Sequence, residues 1–435
     1  MQQLFDDLED FGEFDDFVSG DVRDPYTELA RLRREEPIQK IEIPGIPGQE
    51  GKPIVMVYRY EEAQQMLRDN ETFSSSIIIQ AFGDVFGKFV MLGMDEPEHG
   101  RHRALVAKAF SQKALARWED QLVTAIGNAL IDRFADRGSA DLVKEFTFPY
   151  PTLIIAGLLG LPQKDYAQFQ KWSISLLSFT VNPERGREAS QALAEYFAPI
   201  LAARREDPRD DLISGLAAAE IDGEKLSDEE IFSFLRLLLP AGVETTYRSL
   251  GNLLFALLSN PDQLEAVRND RSLIPQAIEE GVRWEPPLIM ITRVANRDTE
   301  LGGVQIPEGS SVMPVLGAAN RQEERFPDPD RFDIFREAKA NIGWGHGVHV
   351  CLGMHLARLE MRVALNLLFD RLPNLRLDPD AEDPYIRGQA FRSPTSVPVV
   401  FDPAGRAGDS TPAGRAGDST PAGRAGDSTP VRSTS

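Results

Sequence analysis

The longest regular feature of the sequence is a helical pattern that starts at Ser227 and stops at Asn260-Pro261. Ser227 and Glu230, three residues apart, form a capping box at its start. Apolar residues then recur at helical spacing to Leu258, and these roughly 32 residues span about 48 Å at about 1.5 Å per residue. That length is the width of a whole domain, so this helix should run through the middle of the fold.

The centre of this helix contains residues that disfavour a regular helix. Pro240 removes one backbone N–H, and Gly242 adds a further cost of about 1 kcal/mol relative to alanine. Glu244, Thr245 and Thr246 follow directly. We interpret the combination as a functional distortion, and the alternative is a threonine that bonds back to its own helix.

A second stretch, 343–360, reads G-W-G-H-G-V-H-V-C-L-G-M-H-L-A-R-L-E and carries the only cysteine, Cys351. Three glycines precede the cysteine, as in a tight irregular loop, and strong helix formers follow it. Cys351 should therefore lie at or just before a helix N-terminus, where N–H groups and the helix dipole favour a thiolate. The alternative is an inert buried cysteine.

The other polar patterns are ambiguous when taken alone. His99 and Arg103 are four residues apart on one predicted helix face, and Glu280 and Arg283 form an i, i+3 pair on another. Both patterns also occur on solvated surfaces. All five histidines lie either near His99 or around the cysteine, namely His99, His102, His346, His349 and His355.

Composition restricts the class of protein. The formal net charge of -21 argues against nucleic acid as a partner. One cysteine excludes a disulfide framework and fits a cytoplasmic protein, and the sequence gives no signal peptide or membrane anchor. We predict a flexible acidic arm over 1–19, one catalytic domain over 20–403, and a disordered tail over 404–435 that contains three AGRAGDSTP repeats.

The cysteine stretch resembles the haem-binding loop of the cytochrome P450 family, Phe-Gly-x-Gly-x-His-x-Cys-x-Gly. Trp344 departs from the usual Phe, and it could alter how the sulfur is shielded and hydrogen-bonded. The residues that match one for one are Gly345, Gly347, His349, Cys351 and Gly353.

Three further motifs follow the same family. The sequence 241–246, A-G-V-E-T-T, is similar to its oxygen-activation motif, and Glu280-x-x-Arg283 is similar to its buried ion pair. His99 and Arg103 occupy its propionate-contacting positions. The resemblance covers roughly residues 20–402, with the motifs in the expected order.

The resemblance implies a mainly α fold with small β-sheets (α+β), a triangular prism with haem between the long central helix and the cysteine helix. It implies haem b ligated by the Cys351 thiolate, Glu244 and Thr245 as catalytic residues, and Arg331 as the third member of the Glu280–Arg283 group. The residues that it places against the cofactor are His99, Arg103, Ala241, Gly242, Arg293, Trp344, Gly345, His349, Cys351 and Gly353. The residues that it places along the substrate pocket are Ile78, Phe82, Phe86, Leu177, Leu238, Leu288, Ile289, Ile291 and Phe391.

The implied reaction is insertion of one dioxygen atom into a C–H bond of a largely apolar small molecule, such as a terpenoid, steroid, fatty acid or aromatic. Electrons would come from NAD(P)H through a ferredoxin or flavodoxin and its reductase, and the protein would act as a monomer away from membranes. The predicted docking surface for that carrier is a basic patch of Arg101, Lys108, Lys113, Arg358 and Arg362. The alternatives are a peroxide-driven peroxygenase and a non-catalytic haem-thiolate sensor.

Overall fold

Helices form most of the fold. The computed structural model describes residues 21–42, 52–177, 182–221 and 223–403. Within these ranges the α-helices are α1 (Tyr26–Glu35), α2 (Tyr60–Arg68), α3 (Ile77–Phe86), α4 (Glu98–Ala107), α5 (Gln112–Ala116), α6 (Ala125–Ile131), α7 (Pro149–Leu158), α8 (Tyr166–Leu177), α9 (Pro183–Glu206), α10 (Leu212–Ala218), α11 (Asp228–Leu239), α12 (Thr245–Ser259), α13 (Pro261–Asn269), α14 (Ile274–Trp284), α15 (Leu316–Ala319) and α16 (Met354–Arg371).

Short strands form small sheets beside the helices. The strands of the described chain are β1 (Ile38–Ile41), β2 (Ile54–Val57), β3 (Phe73–Ser74), β4 (Ser139–Asp141), β5 (Glu220–Ile221), β6 (Glu224–Lys225), β7 (Arg293–Ala295), β8 (Thr299–Leu301), β9 (Val304–Ile306), β10 (Ser311–Pro314), β11 (Arg376–Leu377), β12 (Ile386–Arg387), β13 (Ser393–Pro394) and β14 (Pro398–Val400). The largest sheet has the order β1-β2-β10-β7-β3, in which only β10 and β2 run parallel. The prediction of a mainly α fold with small sheets is confirmed.

The predicted central helix is present and is interrupted in its middle. α11 begins with the capping box of Ser227 and Glu230, in which both reciprocal bonds are formed. A π-helical turn over Pro240–Glu244 separates α11 from α12. Almost every side chain of α12 is buried, and the helix packs against α7, α14 and α16. The chain is therefore built around this helix, and the distortion falls where Pro240 and Gly242 predicted it.

Two hydrophobic clusters stabilise the elements around the site. The larger one joins the helices and includes residues of α7, α11, α12 and α16. The smaller one lies under the five-stranded sheet and includes Val55, Val57 and Val312. No helix in the described ranges is both long enough and apolar enough to cross a membrane.

The segment after β3 differs from the sequence prediction. The apolar stretch 77–91 is interrupted by Gly83 and Gly87, a pattern that predicts a loop with short helical turns, whereas 77–86 is a continuous α-helix. A glycine inside a helix costs only about 1 kcal/mol, and Gly83 is tolerated. Gly87 ends the helix, because its φ of 94° lies in a region that favours glycine.

Helix α9 starts earlier than the sequence predicts. The break over 181–186 predicts a start near Arg187, whereas α9 begins at Pro183, since the Asn182 side chain caps it by accepting from the backbone N–H of Arg185. The predicted acidic arm over 1–19 and the repeat tail over 404–435 lie outside the described residues.

Candidate active site

The cysteine loop has the geometry that its glycines predict. Gly345 and Gly347 have φ values of 75° and 74°. The backbone N–H of Cys351 donates to the carbonyl oxygen of Trp344 at 2.8 Å, which closes the loop. A Cβ on Gly347 would lie 2.1 Å from the carbonyl oxygen of Leu67 in α2, so only glycine fits there.

The sulfur of Cys351 lies three residues before the first residue of α16, as predicted. Burial raises the pKa of Cys351, while hydrogen bonds from the backbone N–H groups of Gly353 and Met354 and the charges of Arg103 and Arg358 act in the opposite direction. The loop thus presents donors to a half-buried sulfur, and burial makes the charged form of that sulfur costly. Such a sulfur suits a metal cation, which offsets the cost of the buried thiolate.

Trp344 is held by partners other than the sulfur. Its indole Nε1 donates to Glu279 Oε2 at 3.2 Å. Arg358 Nε donates to the other oxygen of Glu279 at 2.6 Å, and its guanidinium carbon lies 5.1 Å from the centre of the indole ring. The extra N–H of tryptophan is therefore used on the outer side of the loop.

Two histidines from distant parts of the chain meet beside the cysteine loop. The rings of His99 and His349 have their centres 4.0 Å apart. His99 Nδ1 lies 3.1 Å from Glu96 Oε1, while its buried Nε2 has no hydrogen-bond partner within the described residues. His349 Nε2 lies 3.0 Å from Ser75 Oγ. A buried ring nitrogen without a partner indicates that a further polar group belongs at this place.

Two arginines complete this cluster. Arg103 donates to the carbonyl oxygen of Val350 at 2.6 Å, and Arg293 donates to the carbonyl oxygen of Thr292 at 2.8 Å. Among the described residues, neither guanidinium has a carboxylate oxygen within 4.0 Å, although Arg293 is only 6% exposed. An anion is the expected occupant of such a position.

Electrostatics within the cluster agree with this assignment. Burial, together with the charges of the neighbouring Arg293, His99 and Arg103, lowers the pKa of His349 to about 3. Burial also lowers the pKa of Arg293 to about 10, with only Asp95 acting in the opposite direction. The four predicted propionate contacts therefore lie together as an electropositive group, in which His99 and Arg293 are buried and Arg103 and His349 are half-buried.

The π turn of the central helix ends at Glu244, the acid of the predicted motif, and the alcohol Thr245 is the first residue of α12. Thr245 Oγ1 donates to the carbonyl oxygen of Ala241 at 2.8 Å, so the threonine does bond back to its own helix. Ala241 is exposed, as expected for a residue that faces a cavity. Gly242 instead faces α7, since a Cβ there would lie 3.0 Å from Ile155 Cδ1.

Glu244 is buried, and an arginine that the sequence analysis did not identify neutralises it. Arg248 lies one turn later, and its Nε donates to Glu244 Oε1 at 2.6 Å. Burial raises the pKa of Glu244, and Arg248 lowers it. The i, i+4 spacing of an acid and an arginine is a signal that the sequence offered.

The predicted ion pair is present, but the prediction of its third member is wrong. Arg283 makes two bonds of 2.7 Å to the two oxygens of Glu280, and both side chains are buried. Arg331 has an exposed side chain and contributes only its carbonyl oxygen, which accepts from Arg283 at 3.3 Å. The third charged side chain is Arg336, whose Nε lies 3.2 Å from Glu280 Oε1. The irregular loop after Arg331 turns the later arginine inward, and residue spacing alone does not reveal such a turn.

The predicted pocket residues fall into different environments. Leu288 and Phe391 face each other across a β-bridge, and the rings of Phe82 and Phe86 are in edge contact. Of the remaining residues, Ile78 is half-buried, Leu238 lies in the helical core, Ile291 packs against the sheet cluster, and the side chain of Leu177 lies outside the described part.

Ile289 does not line the pocket, so that prediction is wrong. It is 2% exposed and packs against α15, where a Cβ on Gly317 would lie 3.1 Å from the Cβ of Ile289. Neighbouring side chains of an extended segment point to opposite faces, and Ile289 points away from its neighbour Leu288.

The predicted basic patch is largely neutralised within the protein. Arg101 pairs with Glu224 and Glu230, Arg358 with Glu279, and Arg362 with Glu119. The positions of basic residues in a sequence do not reveal their ion-pair partners, because carboxylates from distant elements supply those partners.

The sequence of this chain is similar to a protein-family model and to the sequences of known proteins. The family model described as "Cytochrome P450" matches residues 48–391. Cytochrome P450 107B1 of Saccharopolyspora erythraea is 39% identical, and the alignment covers 86% of this chain and 94% of that protein. The cytochrome P450 monooxygenase PikC of Streptomyces venezuelae is 36% identical over 82% of this chain and 85% of its own length.

A solved structure agrees with these sequence matches. The structure of CYP109E1 from Bacillus megaterium in complex with testosterone superposes with a TM-score of 0.79 and 31% identity, covering 87% of this chain and 99% of that one.

Proposed function

The chain belongs to the cytochrome P450 family of monooxygenases, and on that premise we propose that it binds haem b through Cys351 and hydroxylates a largely apolar small molecule. The observation that carries the proposal is the position of the electropositive cluster beside the cysteine loop. Arg103 links the two, since it donates to Val350, the residue before the cysteine.

The residues present fit a haem. An iron porphyrin carries a cation that needs a soft anionic ligand, and two carboxylates that need donors. Cys351 is the ligand, and the cluster of His99, Arg103, Arg293 and His349 supplies donors for the carboxylates. The unpartnered Nε2 of His99 is the clearest mark of a missing polar partner.

The bound haem would supply dioxygen activation and O–O cleavage, which a thiolate ligand favours. The protein residues would act around that chemistry. The N–H groups of Gly353 and Met354 hold charge on the sulfur, and the Thr245 hydroxyl donates at the turn beside Ala241. Glu244 is the buried acid from which a proton reaches that turn.

We further propose that electrons come from NAD(P)H through a separate ferredoxin or flavodoxin and its reductase. The single cysteine supports a separate carrier, because one thiol cannot hold an iron–sulfur cluster. Since most of the basic side chains near the cysteine helix are already ion-paired, we expect the docking to depend only weakly on ionic strength.

The substrate is proposed to be apolar and comparable in size to a steroid. The pocket candidates are aliphatic or aromatic, and Leu288 and Phe391 form one wall of the pocket. The similar CYP109E1 was solved in complex with testosterone. A screen of the haem protein against steroids, terpenoids, fatty acids and aromatics should produce a spin-state shift with at least one class, whereas a sensor of small gases should give none.

Thr245→Ala tests the assignment of oxygen activation. The variant loses the hydroxyl that bonds to Ala241, so NADH oxidation should continue while product formed per NADH falls. Coupling is measured as the ratio of product to NADH consumed. Thr152→Ala is the matched control, because it removes a hydroxyl that also bonds back along its own helix, there at a buried position. Unchanged coupling in Thr245→Ala, or efficient turnover with peroxide in both proteins, would favour the peroxygenase alternative.

A further inference from the structure

Arg248 is a fully buried arginine next to the acid of the proposed proton path. It is 0% exposed and Glu244 is 1% exposed. Its Nε donates to Glu244 Oε1 at 2.6 Å, and its Nη2 lies 2.6 Å from the same oxygen. Burying such a pair is costly unless further bonds hold both groups, so the arrangement calls for an explanation.

The same guanidinium also reaches a second element. Arg248 Nη1 donates to Ser393 Oγ in β13 at 2.8 Å. Its central carbon lies 5.7 Å from the centre of the Phe391 ring and 4.9 Å from that of Tyr247. Arg248 therefore connects the central helix to the strand segment that includes the predicted pocket wall.

The acid and the alcohol of the motif are bound to different turns of the helix. Glu244 is held one turn toward the C-terminus by Arg248, whereas Thr245 is held one turn toward the N-terminus by the carbonyl of Ala241. The place of the carboxylate is thus determined by Arg248 and not by Thr245.

We propose that Arg248 is a positioning residue, which keeps the Glu244 carboxylate charged and fixed between α12 and β13 so that Glu244 can relay protons toward Thr245. This inference rests on the proposed function, because it assigns a role within the same reaction. Burial raises the pKa of Glu244, and the charge of Arg248 together with a hydrogen bond from Tyr247 lowers it. Burial is the larger effect even with Arg248 present, so loss of the arginine would raise the pKa of Glu244 further and favour the neutral form of the acid.

The test compares haem-loaded Arg248→Gln, Glu244→Gln, the double variant and Arg248→Lys. If Arg248 acts through Glu244, Arg248→Gln should lower product formation toward the about 100-fold loss typical of a missing proton-transfer group. The double variant should form product no more slowly than Glu244→Gln alone, because both changes remove the same function. Arg248→Lys keeps the charge and should recover part of the activity. The solvent isotope effect on product formation should rise in Arg248→Gln.

A spectroscopic measurement separates positioning from a merely structural role. Arg248→Gln should gain a protonated-carboxyl band in its infrared spectrum, and the double variant should lack that band. Arg204→Gln is the matched control, since it breaks another buried pair, in which Arg204 Nε lies 2.5 Å from Asp211 Oδ2. It should lose stability but keep its coupling and its isotope effect.

The outcomes distinguish a failure of the role assigned to Arg248 from a failure of the proposed function. If the wild-type protein shows a thiolate-ligated haem while Arg248→Gln keeps normal coupling and gains no carboxyl band, the role of Arg248 is overturned and the proposed function stands. If losses in the double variant are the product of the two single losses, the two residues act independently and the inference also fails. A wild-type protein without thiolate-ligated haem would overturn the proposed function itself.

Discussion

Single residues of this site could be predicted from the sequence where a backbone pattern fixes them. Cys351, Gly345 and Gly347 lie as the motif requires, because a glycine loop followed by a helix leaves the chain few alternatives. Arg336 and Arg248 were missed, although both make bonds to predicted acids. Their roles depend on the path of the chain around Glu280 and on the packing of β13 against α12, which the spacing of residues does not encode.

We predict that the folded protein loses stability in acid because of a single residue, His349. His349 has a pKa of about 3 in the folded protein without cofactor, against about 6.5 when unfolded. Between these two pKa values the unfolded chain binds more protons than the folded protein. The contribution of His349 to the free energy of unfolding is therefore fully present above about pH 6.5 and falls as the pH is lowered toward 3. We expect a loss of about 1–2 kcal/mol between pH 7 and pH 5 from this residue.

Chemical denaturation of the haem-free protein at several pH values measures this loss. His349→Asn should flatten the profile over that interval, because asparagine does not titrate. Haem-loaded protein should be less sensitive to acid, since the carboxylates of the cofactor would raise the pKa of this histidine. Identical profiles for haem-free wild type and His349→Asn would contradict the electropositive cluster.

At the scale of elements, capping and backbone signals were reliable, and tertiary contacts decided the rest. The capping box at Ser227 and the distortion at Pro240 fall where the sequence placed them. The segment 77–86 became a helix because one internal glycine costs less than the packing of Val85 and Phe86 in the core gains. Packing of that kind is invisible to a local pattern.

The contact between the cysteine loop and α2 gives a second prediction. Gly347→Ala would force a Cβ against the carbonyl oxygen of Leu67 at a positive φ, which should cost at least about 2 kcal/mol of stability. The haem content of the purified protein should fall in parallel. Gly215→Ala is the control: a Cβ at this exposed position of α10 meets nothing within 4 Å, and the change should stabilise the protein by about 0.5–1 kcal/mol. A Gly347→Ala protein with normal melting temperature and haem content would contradict the role of this loop.

At the scale of the whole molecule, the buried ion network joins α14 to the long loop before the cysteine. Glu280 accepts from Arg283, from Arg336 and from the backbone N–H of Asp333. Asn320 adds a further tie, since its Oδ1 accepts from the N–H of Ile342 just before the glycine loop. The network therefore holds the segment before the cysteine loop in place.

Two arginines of that loop give a matched pair of variants. Arg336→Ala should lower the free energy of unfolding by about 1–3 kcal/mol, because it leaves a buried carboxylate with fewer donors. Arg331→Ala should change it by less than about 0.5 kcal/mol, since that side chain is exposed. Denaturant titration of both variants measures the difference. Equal losses would restore Arg331 as the third member of the group.

The bond between Cys351 and the iron of a bound haem is tested most directly by the absorption spectrum of the reduced protein with carbon monoxide. We predict a Soret band at the long wavelength that is characteristic of a thiolate ligand, and the loss of that band in Cys351→Ala. A protein that binds no haem, or a band at the shorter wavelength of a histidine-ligated haem, would contradict this prediction.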